Sequence, residues 1–381
     1  MRRKETLIYG VLLSVTLGLA WSIHHAEEPE EESGSVVFDP GAGITSMSFE
    51  NETSVATIEV EGSGDDLETW ITAGKKEKIE TEVEITDDPA GDDDSAEPPS
   101  DDDDSAKESA PQASEAESTQ PTTKTEITYG DPILRQFPGN ASATKLVESF
   151  SPLKALRQFE GLDEDALSQM GLDAPKGSLT IESAGGSVTF EIGEKSYGSS
   201  DTYVRVAGKN TVFLVSSKDL SPLRGAENRL VDRVLLDAES VDIAHATVTI
   251  GGVQTGAKRL HQGRHDKKNS FWVPEDNPDD KDTVFGGFVE KVLQLRASSF
   301  PTDVDAPAEQ SVSGVFAMVF GGESSPLGTI EVGRTVDDDK SSEDELVYKY
   351  FARSNRTRNR WAQVSKANAG DLEDQLNQII E

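Results

Sequence analysis

The chain contains no cysteine. That excludes disulfides, thiolate metal sites, cysteine nucleophiles and a lipid-modified cysteine together. Stability therefore rests on buried apolar area, whatever the redox state of the compartment. Cations are also scarce: 36 Lys and Arg stand against 71 Asp and Glu, a net charge of −35. This argues against a nucleic-acid partner, because phosphate is repelled at long range. Aromatic residues make up 6% and hydrophobic residues 35% of the chain, less than in an ordinary globular protein.

The deficit is local. Between Ala26 and Gln120 there are 30 acidic and 4 basic residues, a net of −26, so the rest of the chain is far less acidic. Residues 87–123 are almost all Asp, Glu, Ser, Ala and Pro, with runs at 92–94 and 101–104. Such a stretch has too little apolar area to offset the entropy of ordering, and it reads as an acidic disordered insertion. The total of 381 residues suggests two or three globular units.

Long apolar runs are missing as well, with one exception. Arg2, Arg3 and Lys4 precede an uncharged run that begins at Leu7 and ends at Ile23. At about 1.5 Å per residue a helix of that length spans roughly 25 Å, near the short limit for a bilayer. Tyr9 and Trp21 sit near its ends, where aromatic rings favour the interface, and Glu27, Glu28, Glu30, Glu31 and Glu32 follow. The positive-inside rule then keeps the N-terminus cytoplasmic and exports the body. A cleaved signal peptide would export it too. However, cleavage after Ala26 puts His24 at position −3, and cleavage after Ala20 cuts the run. The expectation is a single-pass protein of the bacterial inner membrane, with residues 1–25 as cytoplasmic tip and lipid-contacting anchor and the body periplasmic or otherwise extracytoplasmic.

The body reads as α+β. Runs rich in β-branched and aromatic residues predict strands at 35–38, 46–49 and 54–60. Two more are predicted at 68–73, holding Trp70, and at 78–86, where Ile79, Val83 and Ile85 alternate with charge. After the acidic stretch, Leu146, Val147, Phe150, Leu153 and Leu156 predict a helix over 143–156, capped by Asn140 or Ser142. A short helix over 163–170 is closed by Gly171. Strands at 178–182, 187–192, 203–206 and 211–215 and a helix at 217–223 complete a set.

The same order then recurs. A strand at 271–273 holds Trp272, and a helix spans 283–295. Strands at 313–320, 328–332, 346–351 and 361–364 and a helix at 368–380 follow. Gly177-Ser178-Leu179 corresponds to Ser313-Gly314-Val315, and Ser217-Lys218-Asp219-Leu220 to Ala369-Gly370-Asp371-Leu372. The expectation is two similar repeats of mainly antiparallel sheet with packing helices after the transmembrane helix. The first repeat takes residues 35–86 plus 124–237 and the second takes 238–381, with the acidic insertion at 87–123.

With Trp70 in its strand come Phe137-Pro138-Gly139-Asn140 before a helix, then Gly171-Leu172-Asp173-Ala174-Pro175. Tyr203-Val204-Arg205-Val206, Val212-Phe213-Leu214-Val215 and Leu230-Val231-Asp232-Arg233 follow. On these motifs the chain resembles the bacterial membrane-anchored family called domain of unknown function 4340, well over residues 35–237 and more loosely beyond. The motifs are turns and strand cores, so they specify a fold and not a reaction. The family has no established activity, and its genes often lie beside those of gliding-type ABC transporters. The resemblance therefore implies an envelope accessory or scaffold role with a membrane-protein partner, ABC transporter subunits being the first candidates.

The chemical candidates are few. His261 and His265 have helical metal-pair spacing, but Gly263 separates them and Lys258, Arg259, Arg264, Lys267 and Lys268 surround them, which opposes a metal. His245 reads as a partly buried strand residue. The stretch from Gly251 to Lys258 fails as a phosphate loop because Ala257 precedes the lysine and a strand follows. There is no Gly-x-Ser-x-Gly and no His-Glu-x-x-His. Asp337, Asp338 and Asp339 lack calcium-loop spacing and read as a solvated loop. No catalytic, cofactor, metal or small-molecule site is assigned, and the protein is expected not to be an enzyme.

Two basic clusters remain: Lys258, Arg259, Arg264, Lys267 and Lys268, and Arg353, Arg356, Arg358 and Arg360 beside Trp361. They are either charged hairpin tips that keep sheet edges soluble or contacts for an anionic envelope polysaccharide or lipid. The leading expectation is a non-catalytic membrane-tethered scaffold that holds its partner by sheet edges or by the concave face between its halves.

Overall fold

The computed structural model describes residues 35–380, apart from 42, 63, 65–66, 85–122, 261–269, 276 and 343–344. The expected anchor and nearly all of the acidic insertion lie outside the described residues. So do His261, His265, Arg264, Lys267 and Lys268. Among the described residues no helix is long and apolar enough to cross a membrane.

The described chain is α+β, with antiparallel strands in three sheets. A small one pairs β1 (Val36–Phe38) with β6 (Leu153–Lys154). The first large sheet opens with a meander of β2 (Ile44–Asn51), β3 (Ser54–Glu61), β4 (Glu68–Glu84) and β5 (Thr123–Pro138). Helix α1 (Ala141–Ser149), β7 (Arg157–Phe159) and α2 (Glu164–Gln169) follow. A second meander of β8 (Gly177–Ser183), β9 (Gly186–Lys195), β10 (Thr202–Val206) and β11 (Val212–Val215) joins the same sheet beside β2. Helices α3 (Ser217–Arg224) and α4 (Ala226–Arg229) end this half.

The second large sheet is built from β12 (His245–Ile250), β13 (Val253–Leu260) and β14 (Phe271–Pro274), then α5 (Thr283–Leu293) and β15 (Ala297–Ser299). Strands β16 (Ser313–Gly321), β17 (Pro326–Val336), β18 (Tyr348–Ser354) and β19 (Ala362–Val364) precede α6 (Lys366–Ile380). Its spatial order is β14-β13-β12-β16-β17-β18-β19-β15. Without β5, the first sheet reads β4-β3-β2-β8-β9-β10-β11-β7, the same order position for position.

Alternation builds these strands. In β2 the buried residues Ile44, Met47 and Phe49 face the core while Thr45 and Ser48 face solvent, as a half-covered sheet requires. Helix α5 buries Phe285, Phe288, Val289 and Val292 along one stripe. One continuous hydrophobic cluster holds residues of both large sheets, from Ile44 to Leu376.

Several expectations are corrected. The strands expected at 68–73 and 78–86 are the single strand β4, 17 residues long. Gly74, between the two expected segments, serves close approach, since a Cβ there would lie 2.3 Å from the Ile133 carbonyl oxygen. Strand β5 was not expected, because Lys, Glu, Asp and Pro132 interrupt its pattern. Pro132 sits beside a bulge on this edge strand, where a missing N–H costs little. Thr123, assigned to the insertion, begins β5. Helix α1 stops at Ser149, not 156, because Pro152 disfavours helical backbone at Ser151. Leu153 is still buried, but as a strand residue, and Leu156 is exposed. His245 is exposed on β12, not partly buried. Gly251 and Gly252 form the turn of the β12–β13 hairpin, so no phosphate loop exists there.

Candidate functional site: a cleft between the two large sheets

Two sequence motifs meet at the junction of the halves. Phe137-Pro138-Gly139-Asn140 leaves β5 and starts α1, and Leu230-Val231-Asp232-Arg233 runs alongside it. The Asn140 amide donates to the Leu230 carbonyl and the Asp232 amide to the Pro138 carbonyl, each at 2.8 Å. Asn140 also caps α1, accepting through Oδ1 from Ser142 and Ala143, and donates through Nδ2 to the Arg229 and Val231 carbonyls. The strap then crosses to the second half. Ala297 donates to the Arg233 carbonyl at 2.9 Å, and the Arg233 guanidinium donates to the carbonyls of Ala297 and Ser298.

Above this strap lies a cleft of about 670 Å³. Its walls include Trp70, Gly139 and Asn140 from the first half and Leu327, Arg356 and Arg358 from the second. Leu235 and Leu236 add apolar surface, and Glu61, Glu68, Asp232 and Asp237 make the lining net acidic. The β18–β19 connection delivers the cations. Arg356 reaches Asp232 at 2.5 Å and Asp237 at 3.4 Å. Arg358 reaches Glu61 at 2.5 Å and Glu59 at 3.5 Å, and its guanidinium lies 4.4 Å from the Trp70 ring centre.

Asp232 and Glu61 meet arginines, and among the described residues no histidine lines the cleft. An acidic lining of this kind attracts cations. Among the described residues no group of three or more His, Asp or Glu side chains could hold a metal.

The hold on Arg358 is modest. Its side chain is 40% exposed, and those of Glu59 and Glu61 are 53% and 63% exposed. Exposed ion pairs contribute about 0–1 kcal/mol each, and an exposed cation–π contact about 0.5–1 kcal/mol. Against this, Arg358 and Asn359 take positive φ values of 50° and 58°, which costs an arginine roughly 1–2 kcal/mol.

Residues 135–313 match the family model described as Domain of unknown function (DUF4340). No curated protein and no solved structure matches the chain. The resemblance read from the sequence is therefore real, but its extent differs. The DUF4340 match begins at the end of β5 and runs to the start of β16, so Trp70 lies before it. Inside the match are both motifs of the strap. So is Arg205, which joins two other motifs by donating to the Leu172 carbonyl at 2.9 Å.

The expected basic clusters are placed as follows. Lys258 and Arg259 lie on β13, where Arg259 bonds the Ser240 carbonyl and hydroxyl and the Ser270 hydroxyl and sits 5.8 Å from the Trp272 ring centre. Arg353 pairs with Glu309 and Glu331 and stacks on Trp361 at 4.4 Å. Arg360 pairs with Asp303 at 3.0 Å. Of the described cluster residues, Arg356 and Arg358 line the cleft, and the charges of all four C-terminal arginines are met within the chain. Sequence reading missed the acceptors Glu59, Glu61, Asp232 and Asp237. The Trp strands carried a signal: Arg259 stands opposite Trp272, and Glu59 stands opposite Trp70.

Asp337 also corrects an expectation. It is 2% exposed, not solvated, and Lys349 meets it at 2.8 Å with Lys340 at 3.6 Å. The Lys349 hydrogen bond holds its carboxyl below the usual carboxylate range. A lowered folded-state value stabilises the protein above the unfolded pKa and is lost as pH falls through the folded value. Wild type should therefore lose stability relative to Asp337→Asn as pH drops below about 4, and the gap between them should be constant from pH 5 to 7. Thermal unfolding across that range tests it, and a gap independent of pH would refute the pairing.

Proposed function

We propose that the protein is a non-catalytic, membrane-anchored envelope accessory that holds a membrane-protein partner, ABC transporter subunits first among candidates. The anchor is the run from Leu7 to Ile23, and the body is extracytoplasmic. The two sheets of common strand order are two copies of one structural plan, joined by the 230–235 strap. The observation that carries this reading is the long edge strand β5. Beyond Lys75, where β3 ends its pairing, β4 and β5 continue as a two-stranded ribbon. At about 3.3 Å per residue, residues 76–84 extend it roughly 30 Å.

The register places Ile127, Tyr129, Pro132 and Leu134 on one face of β5. Ile127, Tyr129 and Leu134 are 49%, 38% and 43% exposed. Edge strands this long are normally covered or blunted, and an open edge with alternate apolar side chains suits strand addition by a partner. The neighbourhood of transporter genes, implied by the DUF4340 resemblance, supplies the partner class. A photo-crosslinking residue at Tyr129 should capture a transporter subunit from intact membranes, and one at Tyr197, fully exposed in a distant turn, should not. Equal capture at both sites, or a C-terminal reporter active only in the cytoplasm, would refute this reading.

A further inference from the structure

The Trp70 ring and the carboxylates of Glu59 and Glu61 form a built guanidinium site, and the chain fills it with its own Arg358. The corresponding strand pair of the second sheet shows that this filling is not required by the fold. There Arg259 stands directly opposite Trp272, so the cation comes from the same sheet, and Trp272 packs on Phe285 within the continuous core. In the first sheet the opposite residue is Glu59. Trp70 is buried but is not part of that core, and its cation arrives from the other half across the cleft.

The turn that brings Arg358 is an independent sign. Arg358 and Asn359 are the only non-glycine residues with positive φ among the described residues. Arg358 ends the short 3-10 helix Asn355–Thr357 in the left-handed conformation, a position that favours glycine or asparagine, so arginine there is poorly suited to the turn itself. The contact with Trp70 gives that position its use. Beside it the cleft of about 670 Å³ is open and net acidic, which favours a basic chain over an anionic one.

We propose that an arginine-bearing extended segment of a partner protein displaces Arg358 from Trp70 and lies in this cleft. Its guanidinium would stack on the ring between Glu59 and Glu61. A planar guanidinium suits ring and carboxylates together better than a lysine ammonium does. This site lies at the Pro138 end of β5, away from the ribbon that holds Tyr129, so failure of the Tyr129 crosslink leaves it standing, and the reverse holds too.

The test is fluorescence anisotropy with the full chain and a labelled Gly-Arg-Gly-Arg-Gly peptide. Arg358→Gly removes the occupant and places a residue that tolerates positive φ, so the hairpin survives. Its affinity for the peptide should exceed that of wild type about tenfold, the factor for a site self-occupied about nine-tenths of the time. Adding Trp70→Leu should abolish the gain, and adding Glu61→Gln instead should reduce it about fivefold, which covers the case in which the Trp70 variant unfolds. The matching lysine peptide should bind at least about fivefold less tightly. Equal affinity of wild type and Arg358→Gly would overturn the proposal. So would equal affinity for arginine and lysine peptides, which marks nonspecific attraction to an acidic chain.

Discussion

Phe137→Ala is expected to cost about 3–5 kcal/mol of stability and to loosen both halves at once. Phe137 is 1% exposed at the end of β5. Its ring meets Phe300, just past β15, with centroids 5.8 Å apart. Its neighbour Pro138 accepts from Asp232 in the strap. Removing the ring therefore opens a cavity where the two sheets share their core, not inside either one. If the halves form one cooperative unit, urea unfolding of the variant shows a single transition at a lower midpoint with an unchanged slope. Two transitions, with only one displaced, would show that the halves unfold separately and that the cleft is a loose contact between domains.

That junction was only half legible in the sequence. Local signals carried the elements well: the β-branched and aromatic runs of β2 and β3, the Asn140 cap, and Gly171 with its φ of 68° all match the fold, although Asp163, read as the first residue of its helix, is the cap. The parallel between the strands of Trp70 and Trp272 was also readable, because each follows a hairpin and precedes an apolar helix. Two things were hidden. One is β5, where Glu126, Gly130, Asp131 and Pro132 interrupt the apolar residues because half of the strand lies in a ribbon with no sheet beyond it. The other is the pairing of the arginines. Arg358 and Glu61 lie 297 positions apart, and no local pattern announces that a hairpin tip will reach across to a carboxylate in the other half. The cations stood out as a cluster, but their acceptors were lost in the acidic background.

The strongest steric constraint at the cleft is Gly139, and Gly139→Ala should cost about 3 kcal/mol. Its backbone does not take positive φ, so the cost comes from space, not from conformation. A Cβ would lie 2.0 Å from Thr69 Oγ1 and 2.9 Å from Ala143 Cβ. Overpacking of this kind costs about 1–3 kcal/mol. Moving the turn also strains the bonds from Gly139 to the Thr69 carbonyl and from Asn140 to Leu230, both 2.8 Å, at about 1 kcal/mol each if lost. Gly287→Ala is the control with the opposite sign. Gly287 is exposed on α5 with nothing within 4 Å of its would-be Cβ, so alanine should stabilise by about 0.5–1 kcal/mol through helix propensity. The cause can be isolated further, because the Thr69 hydroxyl is buried and makes no hydrogen bond. Thr69→Ala alone should therefore cost little, and in the Gly139→Ala background it should recover about half the loss, a coupling expected for side chains in direct contact. If the two changes add without coupling, the clash with Thr69 is not what makes glycine necessary at the entrance to α1.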